Sequence, residues 1–170
     1  MSTRPLFRNS SIFVRSVRLG TVAAAAALLA GCGPSAPTTP PVAEKRITMT
    51  ATDDMKWNIT RIDAKPGQKL IVTLTNAGTA PRATMGHNLS VLTKGTNVNK
   101  FVEAGAEHAA NSYVDPAMKG NIIASIRLLG PGESDSMTFN APMVPGEYDF
   151  VCTFPGHAAV GMKGKLVIAP

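Results

Sequence analysis

From residue 45 to the end, the chain is cut into short runs in which apolar and polar residues alternate, and Pro or Gly closes many of them. The clearest run is KLIVTLTN at residues 69–76, entered through Lys65, Pro66, Gly67 and Gln68, where Pro ahead of Gly suits a type II turn. Residues 46–51, 88–93, 122–129, 134–140, 146–152 and 164–169 read as further strands, with Gly130-Pro131-Gly132 and Pro145-Gly146 between the later ones. A period of two buries one face of each strand, and short strands at close spacing with turn signals predict an all-β sandwich. One segment breaks the pattern. KFVEAGAEHAANS at 100–112 is rich in Ala and Glu and does not alternate, so a helical flap is expected there.

The first 44 residues have a different character. Residues 1–20 contain four arginines and no acid, and residues 21–31, TVAAAAALLAG, are apolar but about half as long as a helix that spans a bilayer. A basic start, a short apolar run and small residues at its end make a secretory signal. Leu29-Ala30-Gly31-Cys32 resembles the lipobox of bacterial lipoproteins, which implies cleavage before Cys32 and lipidation of that cysteine. The other reading is an ordinary signal cut nearby. Residues 33–43, GPSAPTTPPVA, form a Pro-rich tether reaching roughly 30 Å at ~3.1 Å per residue. The domains expected are thus a signal peptide at 1–31, a lipidated cysteine and tether at 32–44, and one folded domain at 45–170.

The net charge of +6 is concentrated in the signal. Without its four arginines, 13 basic residues face 11 acidic ones, so the domain carries +2 and shows no nucleic-acid patch. The only two cysteines, Cys32 and Cys152, sit in settings too different for a disulfide.

The chemistry gathers in YDFVCTFPGHAAVGMKGKLV at residues 148–167. Cys152, His157 and Met162 stand with four residues in each gap, and Pro155, Gly156 and Gly161 supply turns. Taken alone, Cys152 reads equally as a small core residue or as a ligand. An unpaired thiol in an oxidising compartment must be buried or occupied, and His157 close behind favours the ligand. Thiolate, imidazole and thioether together suit copper. A trigonal site of two histidines and one cysteine needs a second imidazole, and His87 in TMGHNLS is the candidate, 65 residues upstream of Cys152. His108 reads as a solvent-facing residue of the flap.

CTFPGH followed by MKG and preceded by MGHN resembles the azurin and auracyanin group of cupredoxins. MKWNIT, DAKPGQKLIVTLTN and LLGPGESDSMTFN extend the likeness over residues 46–170. The resemblance implies a Greek-key β-sandwich of about eight strands with one flap, holding one copper ion through His87, Cys152, His157 and Met162. It also implies that Asn88 and Thr153 tie the two ligand loops together, and that the backbone N–H groups of Asn88 and Phe154 donate to the Cys152 sulfur. A docking patch of Phe154, Pro155, Met55 and Met85, with Ala158 and Ala159, would surround His157. Three departures from azurins stand out. The His157–Met162 gap is one residue longer, as in auracyanins and plastocyanins, which weakens the case for the Gly86 carbonyl as a second axial ligand. The N-terminal disulfide is missing. Leu89 replaces the tryptophan after MGHN, while the single tryptophan here is Trp57.

The function so implied is one-electron transfer between membrane-associated redox proteins, such as a cytochrome, an oxidase, or a photosynthetic or denitrification enzyme. The carrier would be a monomer that docks transiently, is exported and lipid-anchored in the periplasm or cell envelope, and transforms no substrate. The alternative is a copper-handling lipoprotein using the same ligands. A thiol enzyme built on Cys152 would leave Met162 idle, and a methionine ligand argues against zinc.

Overall fold

The computed structural model describes residues 43–170, in which nine strands form two sheets. The signal peptide, Cys32 and most of the tether lie outside the described residues. The first sheet contains β1 (Lys45–Thr52), β2 (Lys56–Trp57), β4 (Lys69–Asn76) and β7 (Ser134–Asn140), in the order β2-β1-β4-β7. The second contains β3 (Arg61–Ala64), β5 (His87–Leu92), β6 (Ile122–Leu129), β8 (Gly146–Val151) and β9 (Lys163–Ile168), in the order β3-β9-β8-β5-β6. β1 pairs parallel with β4 and β3 with β9, while the remaining pairs are antiparallel. Strands therefore cross between the sheets, as in a Greek key, and do not follow one another as a simple meander.

Alternation explains the core. Ile47, Met49 and Ala51 of β1 and Leu70, Val72 and Leu74 of β4 turn inward, while the intervening residues stay at least partly in contact with solvent. They meet Leu89, Val91, Tyr148, Phe150, Leu166 and Ile168 of the facing sheet. Trp57 packs here against Phe150 with ring centroids 5.4 Å apart. Leu89 is fully buried where azurin-type sequences carry the tryptophan.

β5 departs from alternation in burial, because all six of its residues are buried. Its outer face is covered by the flap, which comprises α2 (Val98–Gly105) and two short 3-10 turns at Ala109–Asn111 and Pro116–Asn121. A second, smaller core of Leu92, Phe101, Val114, Val151 and Ala158 lies beneath it. The flap thus starts two residues before the expected segment, is helical only in its first half, and carries His108 in the turn that follows. α1 (Arg82–Met85) is a single turn leading into β5.

Candidate metal centre

β8 and β5 are neighbours in the second sheet and run in opposite directions, so the end of one meets the start of the other. Cys152 follows the last residue of β8, and His87 is the first residue of β5. The loop from Cys152 to β9 then folds back on itself. Gly156 and Gly161 take left-handed backbone angles (φ +85° and +110°) that strain other residues. The His157 N–H donates to the Phe154 carbonyl at 3.1 Å, and the Met162 N–H donates to the His157 carbonyl at 3.0 Å. The Cys152 N–H closes the loop on the Met162 carbonyl, also at 3.0 Å. Backbone bonds alone therefore place Met162, which is fully buried, beside both Cys152 and His157.

One donor atom each of His87, Cys152 and His157 lies within 4.8 Å of the others. Cys152 Sγ stands 3.5 Å from His157 Nδ1, and the two imidazole centroids are 5.0 Å apart. All three residues are buried, with His157 only 2% exposed. Neither ring nitrogen of His87 has a hydrogen-bond partner among the described residues. The Thr52 carbonyl nearby favours the charged ring slightly, but it does not reach bonding geometry. A buried imidazole left unpaired costs free energy. A metal ion between the three side chains would satisfy one of the two ring nitrogens, so the donor set fits copper.

The electrostatics agree. Burial pushes the Cys152 thiol up to about 11, while the backbone N–H groups of Asn88 and Phe154 pull it back. Burial, then the neighbouring His87, lowers His157 to about 4, and burial also lowers His87. Both imidazoles are therefore neutral near pH 7 and can donate a lone pair, whereas the thiol must lose its proton to bind.

Asn88 and Thr153 join the two ligand segments. The Thr153 N–H donates to Asn88 Oδ1 at 2.7 Å, and Asn88 Nδ2 donates to Thr153 Oγ1 at 2.6 Å. A third member comes from the flap: the Ser112 carbonyl accepts from Asn88 Nδ2 at 2.9 Å and from Thr153 Oγ1 at 2.7 Å. Ser112 and Tyr113 both hold left-handed angles (φ +57° and +58°), which non-glycine residues adopt at a cost of ~1–3 kcal/mol each. Sequence reasoning missed Ser112, since a carbonyl group leaves no mark in a side-chain pattern.

Gly86 precedes His87 with no room for a side chain, because a Cβ would press on the Arg82 carbonyl and Leu128. Of the expected patch, Pro155 and Ala159 are exposed and Met55 and Met85 half-buried. Phe154 and Ala158 are instead buried, the Phe154 ring lying between Tyr113 and His157 at centroid distances of 5.0 and 4.5 Å. His108 lies outside the cluster, half-buried, with Nε2 3.8 Å from Asp115.

A two-sheet Greek-key sandwich with a buried His-Cys-His cluster at one pole defines the cupredoxin class of copper protein. Residues 43–169 match the model of copper-binding proteins of the plastocyanin/azurin family, and the chain belongs to that family. Among curated relatives, azurin of Pseudomonas chlororaphis is 35% identical over 130 residues, covering 74% of this chain and 99% of that protein. Outer membrane protein H.8 of Neisseria meningitidis is 37% identical over 123 residues, covering 71% of this chain. The chain spans 66% of that relative's length. Auracyanin from Roseiflexus castenholzii, solved in a dithionite-reduced state, superposes with a TM-score of 0.65 at 35% identity. That match covers 75% of this chain and 99% of the auracyanin. An azurin from Methylomonas sp. strain J gives 0.66 at 27% identity, covering 75% and 100%.

Proposed function

We propose that this protein carries single electrons by means of one copper ion that His87, Cys152, His157 and Met162 would hold. The observation that carries this reading is the buried cluster itself: three soft or borderline donors within 4.8 Å, one of them an imidazole with no other partner. Bound copper supplies a reversible one-electron couple there. The chain supplies the rest. Closed backbone bonds across residues 152–162 hold Cys152, His157 and Met162 in place, and the link between Asn88 and Thr153 keeps His87 in register with them. Ligands fixed in advance rearrange little between oxidation states. The amides of Asn88 and Phe154 stabilise the thiolate. Burial of all four side chains leaves no open position for a substrate, which supports a carrier over an enzyme. Gly86 contributes close backbone approach beside His87.

Exchange with redox proteins would proceed through the exposed surface over His157. Pro155, Gly156 and Ala159 are exposed there, Val160 follows them in the same loop, and Met55 and Met85 are half-buried contributors to the patch. A small, weakly charged apolar surface favours brief docking. The lipobox-like end of the signal supports export and lipid anchoring at Cys32 in the bacterial cell envelope, with residues 45–170 as the folded domain. The name of the H.8 relative, an outer membrane protein, supports an envelope location.

The test is optical. Metal-free protein receives one equivalent of Cu(II), then ascorbate, then oxidant. An intense blue band that bleaches and returns is expected, and Cys152→Ser should abolish it. A colourless product that loses its copper on reduction would refute the carrier and favour copper handling.

A further inference from the structure

Three large apolar side chains are exposed among the described residues, and two of them are neighbours: Met143 at 72% and Val144 at 60%. They sit between Pro142 and Pro145 in the loop joining β7 to β8. This loop is held firmly. Tyr148 donates its hydroxyl to the Val144 carbonyl at 2.8 Å, and Lys94 Nζ donates to the Pro145 carbonyl at 3.0 Å. The Gly67 N–H and the Gln68 carbonyl bond to Ala141 at the loop's start. Exposure of Met143 and Val144 is thus a fixed property of the fold.

The loop's position is informative. β8 leads from Gly146 beside the loop to Cys152 at the metal centre, about 20 Å at ~3.4 Å per residue. The loop therefore marks the pole opposite the metal. The described chain also begins at this pole, where Gln68 Nε2 donates to the Ala43 carbonyl at 2.8 Å and β1 starts beside β4. Lysines surround it. Lys65 lies in the turn against which Met143 packs, Lys94 bonds the loop itself, and Lys45 opens β1. None of these three forms an ion pair among the described residues, although Lys45 Nζ donates to the Asp63 carbonyl at 2.6 Å, whereas Lys69 is engaged by Glu44.

We propose that this pole is a lipid-docking surface. Met143 and Val144 enter the interfacial layer of an anionic bilayer, and Lys45, Lys65 and Lys94 meet its phosphate headgroups. The domain then stands on the membrane with its metal centre facing away, towards soluble or membrane-borne partners. Two apolar side chains are too few to hold a free domain on a bilayer, so the inference rests on the lipid anchor proposed above. Once the chain is tethered, a high local concentration of lipid makes weak docking sufficient.

The test uses the full lipidated chain reconstituted into phosphatidylethanolamine and phosphatidylglycerol vesicles, with or without brominated acyl chains. Three proteins are compared in the same metal state: wild type, Val144→Trp and Val160→Trp. Wild type carries only the buried Trp57 and sets the background. Flotation with the vesicles reports the anchor, and bromine quenching reports which pole meets lipid. All three should float. Val144→Trp should lose roughly half its added emission, while Val160→Trp at the metal pole should lose little. Adding Lys65→Glu and Lys94→Glu to Val144→Trp should reduce the quenching without reducing flotation. Chains that float with Val144→Trp unquenched, or quenched no more than Val160→Trp, would overturn the docking while leaving the anchor in place. Wild type that does not float would overturn the anchor, and docking with it if Val144→Trp is also unquenched in vesicle excess.

Discussion

The buried ligands make the metal-free protein sensitive to pH at both ends, with a sign that follows from each residue. His157 titrates near 4 when folded and near 6.5 when unfolded, so below pH 6.5 the unfolded chain takes the proton first. Stability is present above that value and is lost as pH falls towards 4. Cys152 behaves in the opposite sense. Its folded value of about 11 lies above the ordinary 9.0, so stability is present below pH 9 and is lost as pH rises towards 11. Urea midpoints of the metal-free protein should therefore form a plateau between about pH 6.5 and 9 and fall on either side. Copper loading should release about one proton per ion at pH 7, from the thiol alone, readable by titration in buffers of different ionisation enthalpy. Ser112 offers a second residue-scale check. Ser112→Gly should keep the left-handed turn and the carbonyl, leaving the visible spectrum and reduction potential close to wild type. Ser112→Val, β-branched at a positive φ, should cost ~1–3 kcal/mol and shift the potential, because its carbonyl steadies both Asn88 and Thr153.

At the scale of elements, the two cores divide the work. The main core between the sheets fixes the sandwich, and the smaller one pins the flap over β5. Phe101 is 1% exposed in that smaller core, so Phe101→Ala should destabilise the protein by ~3–5 kcal/mol in chemical denaturation. Legibility in the sequence varied by element for physical reasons. KLIVTLTN announced β4 because both its faces have a consistent environment, one dry and one partly wet. β5 reads as ordinary alternation in HNLSVL, yet Asn88 and Ser90 are buried by a flap whose position no local pattern encodes. β2 and β3, at two and four residues, are too short for a period to show. The His87–Cys152–His157 cluster was legible because copper demands particular side chains at particular turns, whereas the Ser112 carbonyl was not. Phe154 was read as a surface residue since the sequence does not show Tyr113 arriving from the flap to cover it.

Across the whole molecule, the metal should add stability without creating the fold. The sheets, both cores and the Cys152–Met162 loop are held by strand pairing, packing and backbone bonds within the chain. Removing copper with a chelator under reducing conditions should leave the far-ultraviolet circular dichroism unchanged. A thousandfold excess of ligand over its dissociation constant adds ~4 kcal/mol, so copper should raise Tm by roughly 15 °C in calorimetry.

The loop that runs from Cys152 through His157 to Met162 is tied to itself by six backbone bonds. Its shape is a mould cast by the chain's own bonds. On the export proposed above, a chain with such a mould completes folding on arrival and waits for its ion, so the two events separate in time. The supply of copper then decides when the protein becomes active, and a copper-starved cell would hold a reserve of folded, colourless protein ready to be switched on.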